Sequence, residues 1–247
     1  MTEATLFAQV RAWIADDPDQ ATARALTADL ASAEAGDKAA QSRLADAFSG
    51  LLQFGTAGLR GALGGGPNRM NRAVVIRTAA ALMHYLQDVL GLGRVPRVVI
   101  GYDARRGSAT FAQDTAAVVT GAGGEALLLP GPLPTPVLAF AVRRLFADAG
   151  VMVTASHNPA TDNGYKVYLG GRVVTAEADG VQLVEPHDVE IANRLAQIKC
   201  IAEVPRAESG WTVLSDSIRA QYVSAVVTTV GPGSRDLRIV HTALHGV

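Results

Sequence analysis

The stretch GVMVTASHNPATDNGYKVY, Gly150 to Tyr168, decides the fold and places the candidate site. Residues 151–153 form an apolar run after a glycine, which is typical of a strand buried on both faces. The next residues, Thr154 to Pro159, are polar, and a proline disfavours helical backbone at the residue before it. The stretch therefore predicts a buried strand that ends in a bent loop, with Ser156 at the tip of the bend.

The chain after this loop predicts a hairpin. Gly164 is expected to allow a second bend. Residues 165–169 then alternate in polarity, two glycines supply a turn, and residues 172–174 are predicted to return as the partner strand. Since side chains alternate along a strand, Lys166 and Tyr168 are expected to share one face.

Two interpretations of Ser156 follow from the local residues. A hydroxyl at the end of a buried strand, beside His157 and ten residues before Lys166, is a candidate nucleophile with cationic support. Serine, asparagine and proline are also common turn formers, so a purely structural turn is the alternative. A serine hydrolase is disfavoured, because adjacent side chains point apart and no GxSxG motif is present.

Composition excludes several classes of protein. The chain has 247 residues, 49% of them hydrophobic, and can bury a sizeable core. Its net charge of −1 offers no general attraction for nucleic acid. No apolar run approaches the roughly 18 residues that a membrane span requires, so no membrane partner is expected. The single cysteine, Cys200, excludes an internal disulfide and favours a reducing, cytoplasmic location.

The first 53 residues predict a helical N-terminal arm. Leu6, Val10, Trp13 and Ile14 form an apolar stripe on the first helix, and residues 21–35 predict a second helix. Asp37 is placed to cap a third helix. We favour a packed helical extension over an arm that binds another protein.

A glycine-rich segment with Arg60 near its middle runs from Phe54 to Asn71. Glycines let backbone N–H groups approach an anion, and a guanidinium can bind two phosphate oxygens, so this segment is a candidate phosphate cradle. It lacks the Walker and Rossmann spacings, and a flexible turn is the alternative. Asn71 is predicted to cap a helix that ends at Gly91.

Between residues 97 and 154 strand and helix patterns alternate. Strands are predicted at 98–102, 126–129 and 151–154, with helices at 110–120, capped by Ser108, and at 137–147. Alternation of this kind favours a parallel sheet. Asp103, Arg105 and Ser156 then follow the carboxyl ends of strands and share the sheet edge where α/β proteins place ligands. Arg105 and Arg106 could instead be solvated loop charges.

The C-terminal part predicts a helix capped by Asp188, a linker at 201–210, an amphipathic helix containing Ile218, Tyr222 and Val226, and a strand at 237–242. We divide the chain into the arm (1–53), an α/β domain (54–205) and the incomplete start of a second domain (206–247).

Four segments, in order, resemble one enzyme family. TASHNP at 154–159, followed by NGYK, is similar to the phosphoserine loop of the α-D-phosphohexomutases, the phosphoglucomutase and phosphomannomutase family. FGTAGLRG (54–61), GYDARRGS (101–108) and LPTPVLAFAV (133–142) resemble further motifs of that family. The helical arm is similar to that of one branch, which includes phosphopentomutase-like members.

The resemblance implies a fold and a reaction. The fold is α/β, a three-layer α/β/α domain with a mixed, largely parallel sheet preceded by the helical arm. The reaction interconverts sugar 1-phosphates and 6-phosphates, or pentose 1- and 5-phosphates, through a phosphoserine and a bisphosphate intermediate. The sugar-phosphate substrate is the implied partner, with a sugar 1,6-bisphosphate as activator.

The resemblance also implies roles for individual residues. Ser156 carries the phosphoryl group, His157 orients it, and Arg60 and Lys166 stabilise phosphoryl oxygens, with Lys166 able to exchange the hydroxyl proton if burial lowers its pKa. The residues expected to bind substrate or phosphate are Thr56, Gly58, Arg60, Asn158 and Arg105.

Mg²⁺ is implied as well, with the phosphate oxygen of Ser156 as the one ligand expected from this chain. The family's DGDxDR metal loop, its sugar-selecting loop and its C-terminal phosphate loop do not occur in the sequence, so the remaining mutase domains are expected partners. Without them the chain alone is expected to lack turnover. The alternatives are a non-catalytic domain that binds sugar phosphate and, less favoured, a serine hydrolase.

Overall fold

A computed structural model describes residues 2–53, 58–231, 233 and 236–247. The helices are α1 (Glu3–Asp16), α2 (Gln20–Glu34), α3 (Lys38–Ala47), α4 (Arg72–Leu90), α5 (Ser108–Gly121), α6 (Thr135–Arg144), α7 (His187–Gln197) and α8 (Ser217–Thr229). The strands are β1 (Leu59–Ala62), β2 (Arg97–Tyr102), β3 (Glu125–Leu128), β4 (Ala149–Val153), β5 (Asp162–Leu169), β6 (Val181–Gln182) and β7 (Thr212–Val213).

These strands form one mixed sheet in the order β1-β5-β4-β2-β3-β7, with β6 paired to β5. Strands β4, β2, β3 and β7 are parallel to one another, whereas β5 runs antiparallel to β4, β1 and β6. The predicted mixed, largely parallel sheet is confirmed. Because β2 and β4 are adjacent and parallel, their carboxyl ends bring Asp103 and Ser156 to the same edge.

Helices cover both faces of the sheet. On one face α4, α5 and α7 pack on Val98, Ile100 and Val151. On the other face α6 and Ile218 of α8 pack on the alternate residues Val99 and Met152. Every residue of β4 is buried, as its continuous apolar run predicts. The result is the expected three-layer α/β/α arrangement.

The N-terminal arm is helical, as predicted, and encloses its own apolar cluster around Val10, Leu30 and Leu44. Asp37 caps α3 by accepting a hydrogen bond from the backbone N–H of Ala39. Trp13 also packs against the cluster between α4 and α5 that contains Ile76 and Val118. The arm is therefore packed on the α/β domain.

Four local predictions are wrong. The strand that follows β5 in the chain and pairs with it is β6. Residues 172–174, which were predicted to do so, form a turn. Gly164 lies inside β5 and makes no bend, because the missing side chain serves close packing between strands. Gly107, with φ +80°, occupies the N-cap of α5 in place of Ser108. Asp188 lies within the first turn of α7 and does not cap it.

The segment predicted as a linker and second-domain start contributes to the same sheet. Strand β7 pairs with β3, and Ile218 is buried beneath α6. Residues 237–242 do not form the predicted strand. The division of the chain at residue 206 stays a prediction. No helix among the described residues is long and apolar enough to cross a membrane.

Candidate functional site

Ser156 lies at the exposed tip of the loop after β4, as the sequence predicts. Its φ angle is +57°, in the left-handed region that non-glycine residues seldom adopt. The backbone N–H of Ser156 donates to the hydroxyl of Thr154 at 3.1 Å. Such a conformation is strained and persists only where surrounding contacts hold it.

Arg105 supplies most of those contacts. Its guanidinium donates to the backbone carbonyl oxygens of Ser156, Asn158 (3.0 Å), Pro159 (2.8 Å) and Asp162 (3.2 Å). Its remaining N–H, at Nε, donates to a carboxylate oxygen of Asp103 at 3.2 Å. All five N–H groups are used within the protein, and the side chain is fully buried. Arg105 therefore positions the serine loop from the interior of the protein. This role takes the place of the direct phosphate contact that we expected.

Asp103 joins the loop to the neighbouring strand and helix. Besides Arg105, it accepts hydrogen bonds from the hydroxyl of Thr154 and the hydroxyl of Ser108, each at 2.7 Å. Asp103 itself is buried. Its charge is therefore compensated by a guanidinium and by neutral donors, as a buried carboxylate requires.

Asn163 extends this buried network into β5. Its amide group donates to the Ser108 hydroxyl and to the carbonyl oxygen of Arg106, each at 2.9 Å. Its side-chain oxygen accepts from the backbone N–H of Gly164 at 2.7 Å. Strand β5 is thus tied to the start of α5 at the same edge as the serine loop.

Arg60 and Lys166 lie on one face of adjacent strands. Arg60 is paired with Gly164, two residues before Lys166 on β5, and Lys166 is paired with Met152 on β4. A guanidinium nitrogen of Arg60 lies 3.4 Å from the side-chain oxygen of Asn158, two residues after Ser156. The two predicted cations therefore approach the serine loop from the β5 side.

Electrostatics connects these cations. The pKa of Lys166 is lowered, first by burial and then by the positive charge of Arg60. Burial raises the pKa of Tyr168, and Arg60 lowers it in part. Lys166 and Tyr168 lie two residues apart in β5 and so share one face of the strand, as predicted. A lowered pKa raises the fraction of neutral amine that Lys166 carries at a given pH.

His157 is exposed beside Ser156. Its Nδ1 lies 3.5 Å from the Ser156 hydroxyl oxygen, longer than an ordinary hydrogen bond. Among the described residues no carboxylate is bonded to the His157 ring, so a hydrolase triad is not assembled there.

A cavity of about 330 Å³ opens at this edge of the sheet. Its walls include Ser156, His157, Asp103, Met152 and Thr135. Ser156 therefore lies beside a concavity, part of whose wall is formed by Ala243, Leu244, Gly246 and Val247.

The other residues predicted to bind substrate or phosphate are Gly58, Asn158 and Thr56. Gly58 has φ +86°, and a Cβ there would lie 2.5 Å from the carbonyl oxygen of Tyr165, so glycine permits the approach to β5. Asn158 bridges Arg60 and Asp162 through its side chain. Thr56 lies outside the described residues. In the described part of the chain no cluster of three metal-ligating side chains is found, so its residues do not fit a protein-built Mg²⁺ site next to Ser156.

Sequence reasoning missed the supports of the loop. It placed Asp103 at the site edge without assigning its bonds, took Ser108 for a helix cap, and left Asn163 unassigned. Asp103 and Ser108 belong to GYDARRGS, and Asn163 belongs to NGYK, so the same segments that indicated the site also contained its buried framework.

Relatives of this chain are sugar-phosphate mutases by name. A probable phosphomannomutase from Haemophilus influenzae is 43% identical over 180 residues, covering 72% of this chain and 35% of the relative. A human phosphopentomutase is 33% identical over 201 residues, covering 79% of this chain and 31% of the relative. The chain thus spans about a third of the length of these relatives.

A structural relative has the same architecture. A putative phosphomannomutase from Thermus thermophilus superposes with a TM-score of 0.59 at 31% identity, covering 74% of this chain and 37% of that one. The family model described as phosphoglucomutase/phosphomannomutase, alpha/beta/alpha domain I, matches residues 51–200. By this match, which covers more than half of the chain, the chain belongs to the phosphoglucomutase/phosphomannomutase family.

Proposed function

We propose that this chain carries the phosphoryl-transfer serine of a phosphosugar mutase. In the proposed reaction Ser156 donates a phosphoryl group to a sugar monophosphate and recovers one from the resulting bisphosphate. The names of the relatives support sugar phosphates as the substrate class.

The observation that carries the proposal is the combination of backbone and charge at one loop. Ser156 has a strained left-handed backbone held by the buried Arg105, and the residue lines a cavity. A phosphoserine carries close to two negative charges, which need cations nearby. Arg60 supplies a positive charge on the adjacent strand, and Lys166 supplies a second one when it is protonated.

The transfer is balanced in two steps. In the first, the bond between phosphorus and the Ser156 oxygen breaks as the sugar hydroxyl oxygen bonds to phosphorus, and the hydroxyl proton passes to a base. In the second, the other phosphoryl group of the bisphosphate returns to the Ser156 oxygen, and the departing sugar oxygen takes a proton back. Phosphoryl transfer depends on positioning and charge stabilisation, which the fixed loop and its cations provide.

Lys166 is our candidate for this proton exchange. Burial and Arg60 lower its pKa, which raises the fraction of neutral amine at a given pH. Arg60 remains charged and stabilises the phosphoryl oxygens. His157 orients the phosphoserine from the exposed side of the loop.

Mg²⁺ has no protein-built site among the described residues. Family resemblance implies it, but among the described residues only the seryl phosphate oxygen would be a ligand. Mg²⁺ bound in an enzyme of this kind neutralises charge on the transferring group.

The test is covalent loading. The chain is incubated with glucose 1,6-bisphosphate or ribose 1,5-bisphosphate, and intact mass spectrometry is used to detect the gain of one phosphoryl group, followed by peptide mapping. We expect loading on Ser156, none in Ser156→Ala, and unchanged loading in Thr161→Ala, an exposed hydroxyl in the same loop. Equal loading of the Ser156→Ala variant, or no loading from either bisphosphate, would overturn the proposal.

A further inference from the structure

A second cavity lies between the helical arm and the α/β domain. Its volume is about 510 Å³, within the range of small-molecule sites. The arm contributes Trp13, Asp16 and Phe48, and the domain contributes Arg77 and Lys199. None of its lining residues lines the cavity at Ser156.

Arg77 is partly withdrawn from solvent. Arg72 and Arg105, which are also withdrawn from solvent, each form an ion pair with a buried carboxylate, namely Asp114 and Asp103. No carboxylate among the described residues lies within ion-pair distance of Arg77. Its guanidinium makes one long hydrogen bond, 3.4 Å, to the carbonyl oxygen of Leu195.

The carboxylate whose charge acts on Arg77 is that of Asp16, and it forms its hydrogen bonds with other groups. Asp16 acts on Arg77 only through space, while its carboxylate accepts from the backbone N–H groups of Ile201 (2.7 Å) and Ala202 (3.0 Å). Burial lowers the pKa of Arg77. A charge withdrawn from water and left without a partner costs free energy. An anion in the adjacent cavity would therefore be stabilised by Arg77.

Two buried N–H groups next to the cavity also lack acceptors. Within the described residues, Nε of Arg77 and Nε1 of Trp13 have no hydrogen-bond partner and are screened from solvent. An unmade bond to a buried donor costs about 1–3 kcal/mol. Trp13 packs edge-on against Phe48, with ring centroids 6.1 Å apart, so the same wall is largely aromatic.

We propose that this cavity binds a small organic anion, whose carboxylate or phosphate pairs with Arg77 and Lys199 and whose apolar body packs against Trp13 and Phe48. With Asp16 included, the charged lining residues carry one net positive charge, which favours a ligand with a single charged group. Leu51, Pro67 and Ile201 complete the apolar wall. The site is separate from the proposed phosphoryl-transfer site and does not depend on it.

The test uses three probes on the full chain by isothermal titration calorimetry. Phenylacetate and phenyl phosphate share an aromatic body and differ in the anionic group, and 2-phenylethanol is the uncharged control. We expect saturable binding of at least one anion and weaker binding of the alcohol by tenfold or more. The stronger of the two anions identifies the preferred head group.

Variants locate the binding. Arg77→Met should weaken the anion at least tenfold, whereas Arg11→Met, an exposed arginine on the same arm, should not change it. Binding that is kept in Arg77→Met but lost in Arg60→Met belongs to the Ser156 site and overturns the proposal. So does the absence of binding by either anion, or equal binding of the alcohol.

The folding of each variant is also measured, so that an unfolded protein is not mistaken for one that has lost the site. Circular dichroism and thermal unfolding are measured for each variant. If Arg77→Met does not fold, Lys199→Met, which removes an exposed side chain, decides the question. We expect severalfold weaker anion binding in Lys199→Met, and unchanged affinity would reject the site.

Discussion

The guanidinium of Arg105 donates a hydrogen bond to the backbone carbonyl oxygen of Ser156, 51 residues away in the chain. The same side chain holds three more carbonyl oxygens of that loop and the carboxylate of Asp103. A planar group with five N–H donors is suited to this task, because it fixes several backbone positions at once. The loop that presents the serine is therefore held from inside the protein, which leaves its outer side for a ligand.

Arg105→Ala should destabilise the fold by roughly 3–5 kcal/mol, because it leaves the buried Asp103 carboxylate without its cation. Arg105→Lys keeps a charge but cannot span the four carbonyl oxygens, so it should lower phosphoryl loading of Ser156 even where the protein folds. Urea unfolding and intact mass measure the two effects. The matched control is Arg106→Ala, an exposed neighbour, with an expected change within about 0.5 kcal/mol. Equal effects at both positions would contradict this role.

Ser156→Gly should be more stable than Ser156→Ala by roughly 1 kcal/mol, because glycine adopts the left-handed backbone without the steric cost that a Cβ brings. Both variants lack the hydroxyl and should not load phosphate. Thermal and urea unfolding of the pair give the difference directly. Ala160→Gly, in the same loop but outside the positive φ region, is the control and should lose stability. A more stable Ser156→Ala would show that the strain is relieved in solution.

Lys166 should titrate below the ordinary lysine value of 10.5, because burial and the charge of Arg60 lower its pKa. Reductive ¹³C-methylation followed by NMR titration gives the three lysine signals separately. Arg60→Met should raise the pKa of Lys166 part of the way, because burial, the larger cause, remains. Arg106→Met should leave it unchanged. A Lys166 signal that titrates at or above 10.5 would contradict the proposed proton exchange.

The same shift predicts a pH dependence of stability. Between the lowered folded pKa of Lys166 and its unfolded value near 10.5, the unfolded chain binds more protons than the folded one. The destabilisation caused by charged Lys166 is therefore full below that window, and it falls as pH rises across the window. The wild type should gain stability relative to Lys166→Met as pH rises toward 10.5. Urea midpoints of both proteins at several pH values test the sign.

Gly164→Ala should cost roughly 2–3 kcal/mol or more, because a Cβ would lie 2.6 Å from the carbonyl oxygen of Thr154 and 2.7 Å from that of Leu59. Those carbonyls belong to the chain on either side of β5, so β1 and Arg60 would be displaced together. Urea unfolding and phosphoryl loading should both decline. Gly131→Ala, where an added Cβ meets no atom within 4 Å, is the control and should change neither. Equal stability of the two alanine variants would contradict the close packing.

Local patterns predicted most of the elements. The apolar run at 151–153 identified β4, and Asn71 and Gly91 marked the ends of α4 as predicted. The errors arose where a distant segment decided the outcome. Residues 172–174 have the pattern of a strand. The chain nevertheless returns to β5 only later, and the residues that pair with β5 there are those of β6.

Sequence predicted that Ser156, Arg60 and Lys166 lie at one edge of the sheet, but it did not predict the contacts of Arg105. An arginine in a polar loop has the same local pattern whether it is solvated or buried. Its burial depends on the backbone carbonyls of residues 156–162, which only the folded chain brings around it. Arg77 is a second case, because its lack of a carboxylate partner is a property of the space between the arm and the domain.

The sequence by itself determined the alternation of helix and strand, the buried strand before the serine and the ordered motifs that indicate the mutase family. These are short-range features, since periodicity, capping and turn residues act within a few positions of one another. Tertiary structure alone decided the strained φ of Ser156, the five-donor role of Arg105, the lowered pKa of Lys166 and the unpaired charge of Arg77. Each of these depends on burial and on atoms supplied by distant parts of the chain, because the free energy of a charge or a backbone carbonyl is set by the groups around it and not by its neighbours in sequence.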